Sequence, residues 1–336
     1  MARRAGIEVG GQTIGPGERR TVALDTAQLY THTPVGMPVH VIHGRRDGPV
    51  LSLSAAIHGD EINGIEIIRQ VLALPQLKRL RGTLLAVPIV NAFGVLAQTR
   101  YLPDRRDLNR SFPGSAGGSL AARLAHLFVE EILDRATHVI DLHTGAAHRT
   151  NLPQVRANLE EARNVDLAEA FAAPVILHSR LRDGSLRAAA EERGLPALVY
   201  EGGEALRFDD ASIKLGVRGV VAAMRALGML PRVGRKREAP PPVQVETTRW
   251  VRADCSGILR TTTRLGRRVK QGQRLGLISD PFGDGQTPVT ADLDGIVIGR
   301  TNLPLVHEGD ALFHIARVHH LREAAAALEA FTNSLS

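Results

Sequence analysis

Three side chains of metal-binding type stand where short apolar segments of the sequence end. His58 and Glu61 lie three residues apart directly after the apolar run 49–57, and His143 follows the apolar segment 137–142. On a tight turn or a first helical turn, this spacing lets an imidazole and a carboxylate converge on one ion. A third ligand of nitrogen type leaves one position of a tetrahedral metal ion open for water, as a hydrolytic site requires.

Two further acidic residues fit around such a site. Asp141 lies two residues before His143, so the two side chains share a face if the segment is an extended strand. Its carboxylate is expected to accept the distal N–H of a ligand imidazole. Glu201 follows another apolar run, 196–200, and repeats the placement at a strand end. An H-x-x-E pair alone also arises by chance, and its alternative interpretation is a structural histidine.

The segments that must position these residues alternate between two periodicities. Apolar residues at helical spacing follow Glu61. The same two periodicities along the chain predict strands at 49–57, 82–90, 137–142 and 196–200, and helices at 62–72, 120–134 and 211–230. Strands alternating with helices predict an α/β fold with a mixed, largely parallel sheet flanked by helices. In open sheets of this type, ligands bind beyond the carboxyl ends of the strands. His58, His143 and Glu201 all stand at such ends.

The composition of the sequence changes after residue 232. Residues 233–243 are basic and then rich in proline, which indicates a linker. Short β segments punctuated by glycine fill 244–317, and the pattern V-x-x-G-x-x-L-x-x-I occurs there twice, from Val269 and again from Val306. Two copies predict a pseudo-symmetric all-β domain rather than a solenoid, which needs at least three repeats. Residues 318–336 are alanine-rich and are predicted to form a C-terminal helix.

Composition excludes several classes of protein. Hydrophobic residues make up 43% of the 336 residues and charged residues 23%, as in ordinary folded proteins. The net charge of +7 is spread along the chain without a basic run beside aromatic residues, so no nucleic-acid partner is expected. No apolar stretch reaches about 18 residues, so no membrane partner is expected. The single Cys255 rules out an internal disulfide and a thiolate-rich metal site, and a cytoplasmic location is expected.

Four short motifs occur in an order that is typical of one known family. They are His58-Gly59-Asp60-Glu61, then Arg100-Tyr101, then Asp107-Leu108-Asn109-Arg110-Ser111-Phe112-Pro113-Gly114, and then Asp141-Leu142-His143-Thr144. This order resembles the succinylglutamate desuccinylase/aspartoacylase family of the zinc carboxypeptidase superfamily. The octapeptide is the most specific part, because a match of that length is far rarer by chance than H-x-x-E.

The resemblance implies one zinc ion per chain, a zinc carboxypeptidase-like fold and a set of catalytic roles. His58, Glu61 and His143 would be the zinc ligands. Glu201 would be the general base that activates water and then protonates the departing amine, with Glu204 as its nearest competitor in the sequence. The domain it implies spans residues 1–232, including an N-terminal β segment at 1–45.

The remaining implied residues would bind the substrate. Asn109 and Arg110 would hold a substrate carboxylate, a task for which the planar guanidinium fork of arginine is suited. Arg100 would lie beside the scissile carbonyl and stabilise the developing oxyanion. The alternative for Arg110, and the better one for Arg105 and Arg106, is a solvated basic loop.

The resemblance favours an amidohydrolase that cleaves a carbon–nitrogen bond other than a peptide bond. Its partner would be a small N-acyl amino acid with a carboxylate and an acetyl, succinyl or similar acyl group. One alternative is a metallocarboxypeptidase that acts on the C-terminus of a peptide or protein tail, and another is a non-enzymatic binding protein with a degenerate site. Residues 244–317 resemble a biotinyl/lipoyl barrel-sandwich hybrid, but the turn 279–285 has no carrier lysine. This region is expected to cover the site entrance or to support a homo-oligomer.

Overall fold

The computed structural model describes residues 4–232, 242–245 and 247–318. Most of the predicted linker and the predicted C-terminal helix therefore lie outside the described residues. Ten strands precede residue 232: β1 (Ile7–Val9), β2 (Gln12–Ile14), β3 (Arg19–Gln28), β4 (Pro34–His43), β5 (Arg46–Ala55), β6 (Arg81–Val87), β7 (His138–Gly145), β8 (Arg149–Ala157), β9 (Val175–His178) and β10 (Ala197–Glu204). The helices are α1 (Asn63–Leu72), α2 (Ala92–Ala97), α3 (Leu120–Glu131), α4 (Ala162–Phe171), α5 (Leu186–Glu191) and α6 (Asp210–Ala226), with 3₁₀ turns at Pro75–Arg79, Leu108–Arg110 and Leu133–Arg135.

A parallel group of four strands forms the centre of the sheet. These strands run side by side in the order β10, β7, β5 and β6, and all four were predicted from apolar runs in the sequence. Antiparallel strands extend both edges, with β4 and β3 beyond β6 and β8 beyond β10. The prediction of a mixed, largely parallel sheet flanked by helices is therefore confirmed.

Helices cover both faces of this sheet. Successive residues of its central strands are therefore apolar, because the side chains on both faces are buried. On one face α1, α4 and α6 enclose a core that contains Ile67, Phe171 and Tyr200. On the other face α3 and α5 pack over a core that contains Phe128. Gly219 of α6 lies against the ring of Phe171, where a Cβ atom would come within 2.2 Å of the ring. No helix in the described ranges has the length and apolar character needed to cross a membrane.

The strands from residue 243 onward, except the first, form two layers around a separate apolar core, and the first pairs with β9. They are β11 (Val243–Val245), β12 (Thr247–Arg252), β13 (Gly257–Thr261), β14 (Arg268–Val269), β15 (Arg274–Ser279), β16 (Gln286–Thr290), β17 (Gly295–Thr301), β18 (Leu305–Val306) and β19 (Ala311–Arg317). One layer has the order β16, β15, β13 and β18, and the other contains β12, β19 and β17 with β14. Each of the two sequence repeats contributes a short strand to the layer of the other. Strand β18 of the second repeat pairs with β13 of the first, and β14 of the first pairs with β17 of the second.

The second layer is continuous with the central sheet. Strand β17 pairs with β8 at Gly299–Asn151, Arg300–Thr150 and Thr301–Arg149, and β11 pairs with β9. The predicted domains therefore share one hydrogen-bonded sheet, which brings β12 and β19 close to the edge where the predicted site residues lie. The boundary at residues 233–243 stays a prediction.

Candidate metal centre and active site

The sheet brings the three predicted metal ligands together at its carboxyl edge. His58 lies in the turn after β5, Glu61 just before α1, and His143 within the neighbouring parallel strand β7. All three side chains are buried, and one potential ligand atom from each lies within 4.8 Å of the other two. The turn is tight because Gly59 packs against the backbone of Gly94, where a Cβ atom would meet the Gly94 carbonyl carbon at 1.9 Å.

Both imidazoles direct the same ring nitrogen to the centre of the site. Nδ1 of His58 lies 2.8 Å from Oε1 of Glu61, and Nδ1 of His143 lies 2.7 Å from Oε2 of the same carboxylate. The opposite nitrogens face two other carboxylates, with Nε2 of His58 3.1 Å from Asp107 and Nε2 of His143 2.6 Å from Asp141. Each ring is therefore fixed in orientation from behind, as histidines that bind metal ions usually are.

Asp107 is a residue of the site that the sequence analysis gave no role. Its Oδ1 accepts the backbone N–H of Asn109 at 2.8 Å as well as facing His58, and its Oδ2 accepts from Nη2 of Arg100 at 3.0 Å. In the sequence, its role in the site could have been suspected only because Asp107 is the first residue of the motif 107–114. Its contacts with His58 and Arg100 depend on the tertiary fold.

Opposite charges determine the protonation behaviour of the site. Burial by itself raises the pKa of Glu61, but His58 and His143 outweigh it and hold that pKa far below its usual range. Burial likewise opposes protonation of both histidines, yet Glu61 and Asp107 raise the pKa of His58, and Asp141 and Glu61 raise the pKa of His143. Two imidazoles and one carboxylate, with anionic groups behind the rings, form a donor set that fits a catalytic zinc ion.

Glu201 lies beside this centre on the adjacent strand. In the parallel pairing of β10 with β7, Glu201 is in register with His143. Its Oε2 accepts from Asn151 at 2.6 Å and lies 3.1 Å from the guanidinium of Arg156. Glu204, its competitor in the sequence, instead accepts from Asn302 at 2.8 Å and does not line the cavity. Of these two candidates for the general base, only Glu201 lines the cavity.

The predicted carboxylate clamp lies on a loop at the mouth of the cavity. Asn109 is fixed because its Oδ1 accepts the backbone N–H of Leu186 at 2.9 Å. The backbone of Arg110 packs against Gly184, which has a φ of +73° and leaves no room for a Cβ atom. The guanidinium of Arg110 is exposed and donates to the carbonyl of Asn109.

The cavity has a volume of about 510 Å³ and combines both parts of the sheet. Its lining carries more positive than negative side chains, because three carboxylates, those of Glu61, Asp141 and Glu201, stand against six arginines: Arg100, Arg110, Arg149, Arg156, Arg182 and Arg187. Thr248 and Trp250 of β12 and His314 of β19 complete its wall. The sequence analysis missed these three residues, and the sole tryptophan of the chain was the only signal that could have drawn attention to them.

Comparisons with known proteins agree with this architecture. Residues 47–227 match the succinylglutamate desuccinylase/aspartoacylase catalytic domain. The N-alpha-acetyl-L-2,4-diaminobutyric acid deacetylase of Halomonas elongata is 27% identical over 299 residues, which cover 84% of this chain and 86% of that protein.

Solved structures share the fold over most of their length. A succinylglutamate desuccinylase/aspartoacylase from Rhodobacter sphaeroides superposes with a TM-score of 0.79 at 24% identity, covering 90% of this chain and 96% of the other. The product-bound ectoine utilization protein EutE from Ruegeria pomeroyi gives a TM-score of 0.79 at 25% identity, with 89% and 94% covered. Because the catalytic-domain match spans more than half of the 336 residues, the chain belongs to the succinylglutamate desuccinylase/aspartoacylase family.

Proposed function

We propose that the protein is a zinc-dependent deacylase that hydrolyses the amide bond of a small N-acyl amino acid. The observation that carries this proposal is the convergence of two imidazole Nδ1 atoms on one buried carboxylate, beside a cavity that holds Glu201 and Arg100. Membership of the family supports a deacylase acting on non-peptide amides. The Halomonas relative is named for removing an acetyl group from an amino acid, which supports the substrate class.

His58, Glu61 and His143 would hold the zinc ion through two nitrogens and one carboxylate. When bound, zinc supplies a Lewis acid that polarises a carbonyl and activates water as a nucleophile at neutral pH. Asp107 and Asp141 hold the two rings with Nδ1 directed to Glu61, so the protein would supply the orientation of the ligands before a substrate arrives.

Glu201 would transfer the protons of the reaction. Asn151 and Arg156 fix its carboxylate in place, and its register with His143 on the neighbouring strand supports this role. From there it would accept a proton from the attacking water and deliver it to the departing amine nitrogen. Amide hydrolysis needs this second transfer because an amine leaves poorly as an anion.

Two arginines would bind negative charge at different points of the substrate. Arg100 lies 3.2 Å from Glu61 and is held by Asp107, so its guanidinium is fixed beside the centre where charge develops on the scissile oxygen. Arg110, with Asn109, would bind the carboxylate of the amino acid at the mouth of the cavity. The cavity volume of about 510 Å³ falls in the range of small-molecule sites, which favours a free N-acyl amino acid over a protein tail.

The experiment that tests this function combines metal analysis with a substrate panel. The purified protein should contain about one zinc per chain and should hydrolyse N-acetyl or N-succinyl amino acids, while leaving dipeptides and amidated analogues nearly untouched. A His58→Ala/His143→Ala double variant is the matched control and should lose both properties. Retention of full zinc by that variant, or preferential cleavage of peptides by the wild type, would refute the proposal.

A further inference from the structure

A second cavity lies at the opposite end of the central sheet from the predicted metal centre. Arg46, which lines this cavity, begins β5, and His58 follows the other end of the same strand. The ten residues of β5 therefore separate the two places by about 30 Å. The second cavity has a volume of about 690 Å³, which falls in the range of small-molecule sites.

Basic side chains dominate the lining of this second cavity. Seven of its lining residues are arginine or lysine, and none is aspartate or glutamate. Five of the seven come from two neighbouring segments, with Arg45 and Arg46 after β4, and Lys78, Arg79 and Arg81 in and just after the 3₁₀ turn that precedes β6. The cavity beside the metal ligands has three carboxylates against its six arginines, so this second, basic cavity is the more positive of the two.

The fold brings like charges together around the basic cavity. Arg46 and Arg81 face each other in the parallel pairing of β5 with β6, and like charges in facing positions repel. Glu18 and Asp47, the acidic residues nearest to the lining in the sequence, form ion pairs with arginines that do not line the cavity. The sequence 233–241 contains three basic residues and one acidic residue, so its composition adds positive charge. A negatively charged ligand would relieve this repulsion.

The backbone around the basic cavity is tightly connected. The N–H of Gly44 donates to the carbonyl of Gly82 at 2.9 Å, and a Cβ atom on Gly44 would lie 2.2 Å from the carbonyl oxygen of Leu80. The N–H of Arg81 donates to the carbonyl of Met229 at 2.9 Å and ties β6 to the segment after α6. Apolar side chains, including the buried Leu80, form part of the lining. Low-dielectric walls beneath charges of one sign strengthen the field in a cleft.

We propose that the basic cavity binds a small molecule that carries at least two phosphate groups. Each phosphate group has about −1.5 to −2 charges and three strong acceptor oxygens. Guanidinium groups bind such oxygens in bidentate pairs, and two phosphate groups together use more of the seven basic side chains than one does. The proposal does not depend on the deacylase function, because none of the predicted catalytic residues lines this cavity.

The test uses pyrophosphate as the probe, titrated into the full zinc-loaded chain by calorimetry. We expect one pyrophosphate per chain, bound about tenfold or more tightly than orthophosphate at equal ionic strength, because it offers a second set of acceptor oxygens. The affinity should fall as salt is added, since salt screens exposed charges. Absence of binding, or binding no tighter than that of orthophosphate, would overturn the proposal.

An Arg46→Gln/Arg81→Gln double variant removes the facing pair. It should weaken pyrophosphate binding by about tenfold or more, because two charged hydrogen-bond donors are lost. Without the probe it should melt at the same temperature as the wild type or higher, because the repulsion between strands is removed. The control is Arg123→Gln/Arg218→Gln, which takes the same charge from exposed positions on α3 and α6 and should bind pyrophosphate normally.

Two outcomes for these variants contradict the proposal. An equal loss of affinity in the test and control variants would show an effect of net charge alone. A lower melting temperature of Arg46→Gln/Arg81→Gln with unchanged affinity for pyrophosphate would assign the pair a structural role.

Two further arms separate the basic cavity from other places where an anion could bind. Pyrophosphate also binds metal ions, so the zinc content is measured before and after the titration. Arg110→Gln changes the cavity beside the metal ligands and should leave pyrophosphate affinity unchanged. Loss of binding in Arg110→Gln, with binding kept in Arg46→Gln/Arg81→Gln, would place the anion at the metal centre and overturn the proposal.

The last arm replaces pyrophosphate with a short single-stranded DNA oligonucleotide. We expect weaker binding than for pyrophosphate, because the basic residues surround a cavity of small-molecule size rather than an extended stripe. Tighter binding of the oligonucleotide that is lost in Arg46→Gln/Arg81→Gln would identify a nucleic acid as the partner and overturn the small-molecule site.

Discussion

The predicted metal centre and the rest of the cavity lining are built in different ways. His58, Glu61 and His143 are buried, and every ring nitrogen among them lies within 3.1 Å of a carboxylate oxygen. On the wall, Nδ1 of His314 has no partner in the described part of the chain, and Arg110 at the mouth is exposed. The predicted metal centre is thus preorganised before a substrate arrives, whereas the exposed Arg110 stays available to a substrate group.

The largest effect that can test this contrast is expected at the metal end. Removing an imidazole from a three-ligand site leaves too few donors, so His58→Ala or His143→Ala should abolish bound zinc and activity together. Stability should fall by about 1–3 kcal/mol, because the carboxylate behind the lost ring is left unpaired. Metal analysis and thermal unfolding measure the two effects.

His126→Ala is the matched control for the ligand variants, since His126 pairs with Glu130 on the surface of α3. It should keep zinc, activity and melting temperature. A ligand variant that behaves like this control would contradict the assignment of the metal centre.

A smaller effect is expected from the group that transfers protons without binding the metal. Glu201→Gln should keep zinc but lower kcat by about 10²- to 10⁴-fold, the usual contribution of general acid–base catalysis. Glu204→Gln is the control, because Glu204 pairs with Asn302 and does not line the cavity. Near-normal turnover of Glu201→Gln would place the base elsewhere.

Substitution of Asp107 or Asp141, which contact the Nε2 atoms of His58 and His143, should change zinc affinity more than turnover. Asp107→Asn and Asp141→Asn retain size but lose charge, so each should weaken zinc affinity by about 10- to 100-fold. Competition with a chelator measures this effect. Asp107→Asn should also loosen Arg100 and lower kcat further than Asp141→Asn does, because of the two carboxylates only Asp107 contacts both His58 and Arg100. Unchanged affinity in both variants would show that the rings are held in other ways.

A change of substrate binding alone is expected at the exposed clamp, and its conservative variant should give the smallest effect. Arg110→Lys keeps the charge but loses the bidentate fork, so KM for N-acyl amino acids should rise by about tenfold with zinc unchanged. Arg110→Ala should cost about 1.5–3 kcal/mol of transition-state binding, as expected for a hydrogen bond to a charged group. Arg105→Lys changes an exposed residue of the same loop and should have no effect. Identical kinetics for Arg110→Ala and the wild type would remove the clamp from the site.

Local patterns of the sequence predicted the parts of this protein that depend on short-range spacing. Apolar runs identified β5, β6, β7 and β10, because strands buried on both faces need continuous apolar sequence. The spacing of His58 and Glu61 and the placement of His143 at a strand end then predicted one site, since neighbouring parallel strands end at the same edge. The strand pairings of β5 with β7 and of β7 with β10 follow this reasoning.

Only the tertiary structure placed Asp107 behind His58, because a carboxylate 49 positions away in the sequence gives no local sign of that contact. The same holds for Trp250 and His314, which reach the cavity because β17 pairs with β8 and continues the central sheet into β19 and β12. Sheet pairing between distant strands is decided by long-range packing, and no spacing in the sequence records it. The sequence by itself thus determined which chemical groups stand at the strand ends, and the extension of the sheet decided which further side chains line the cavity.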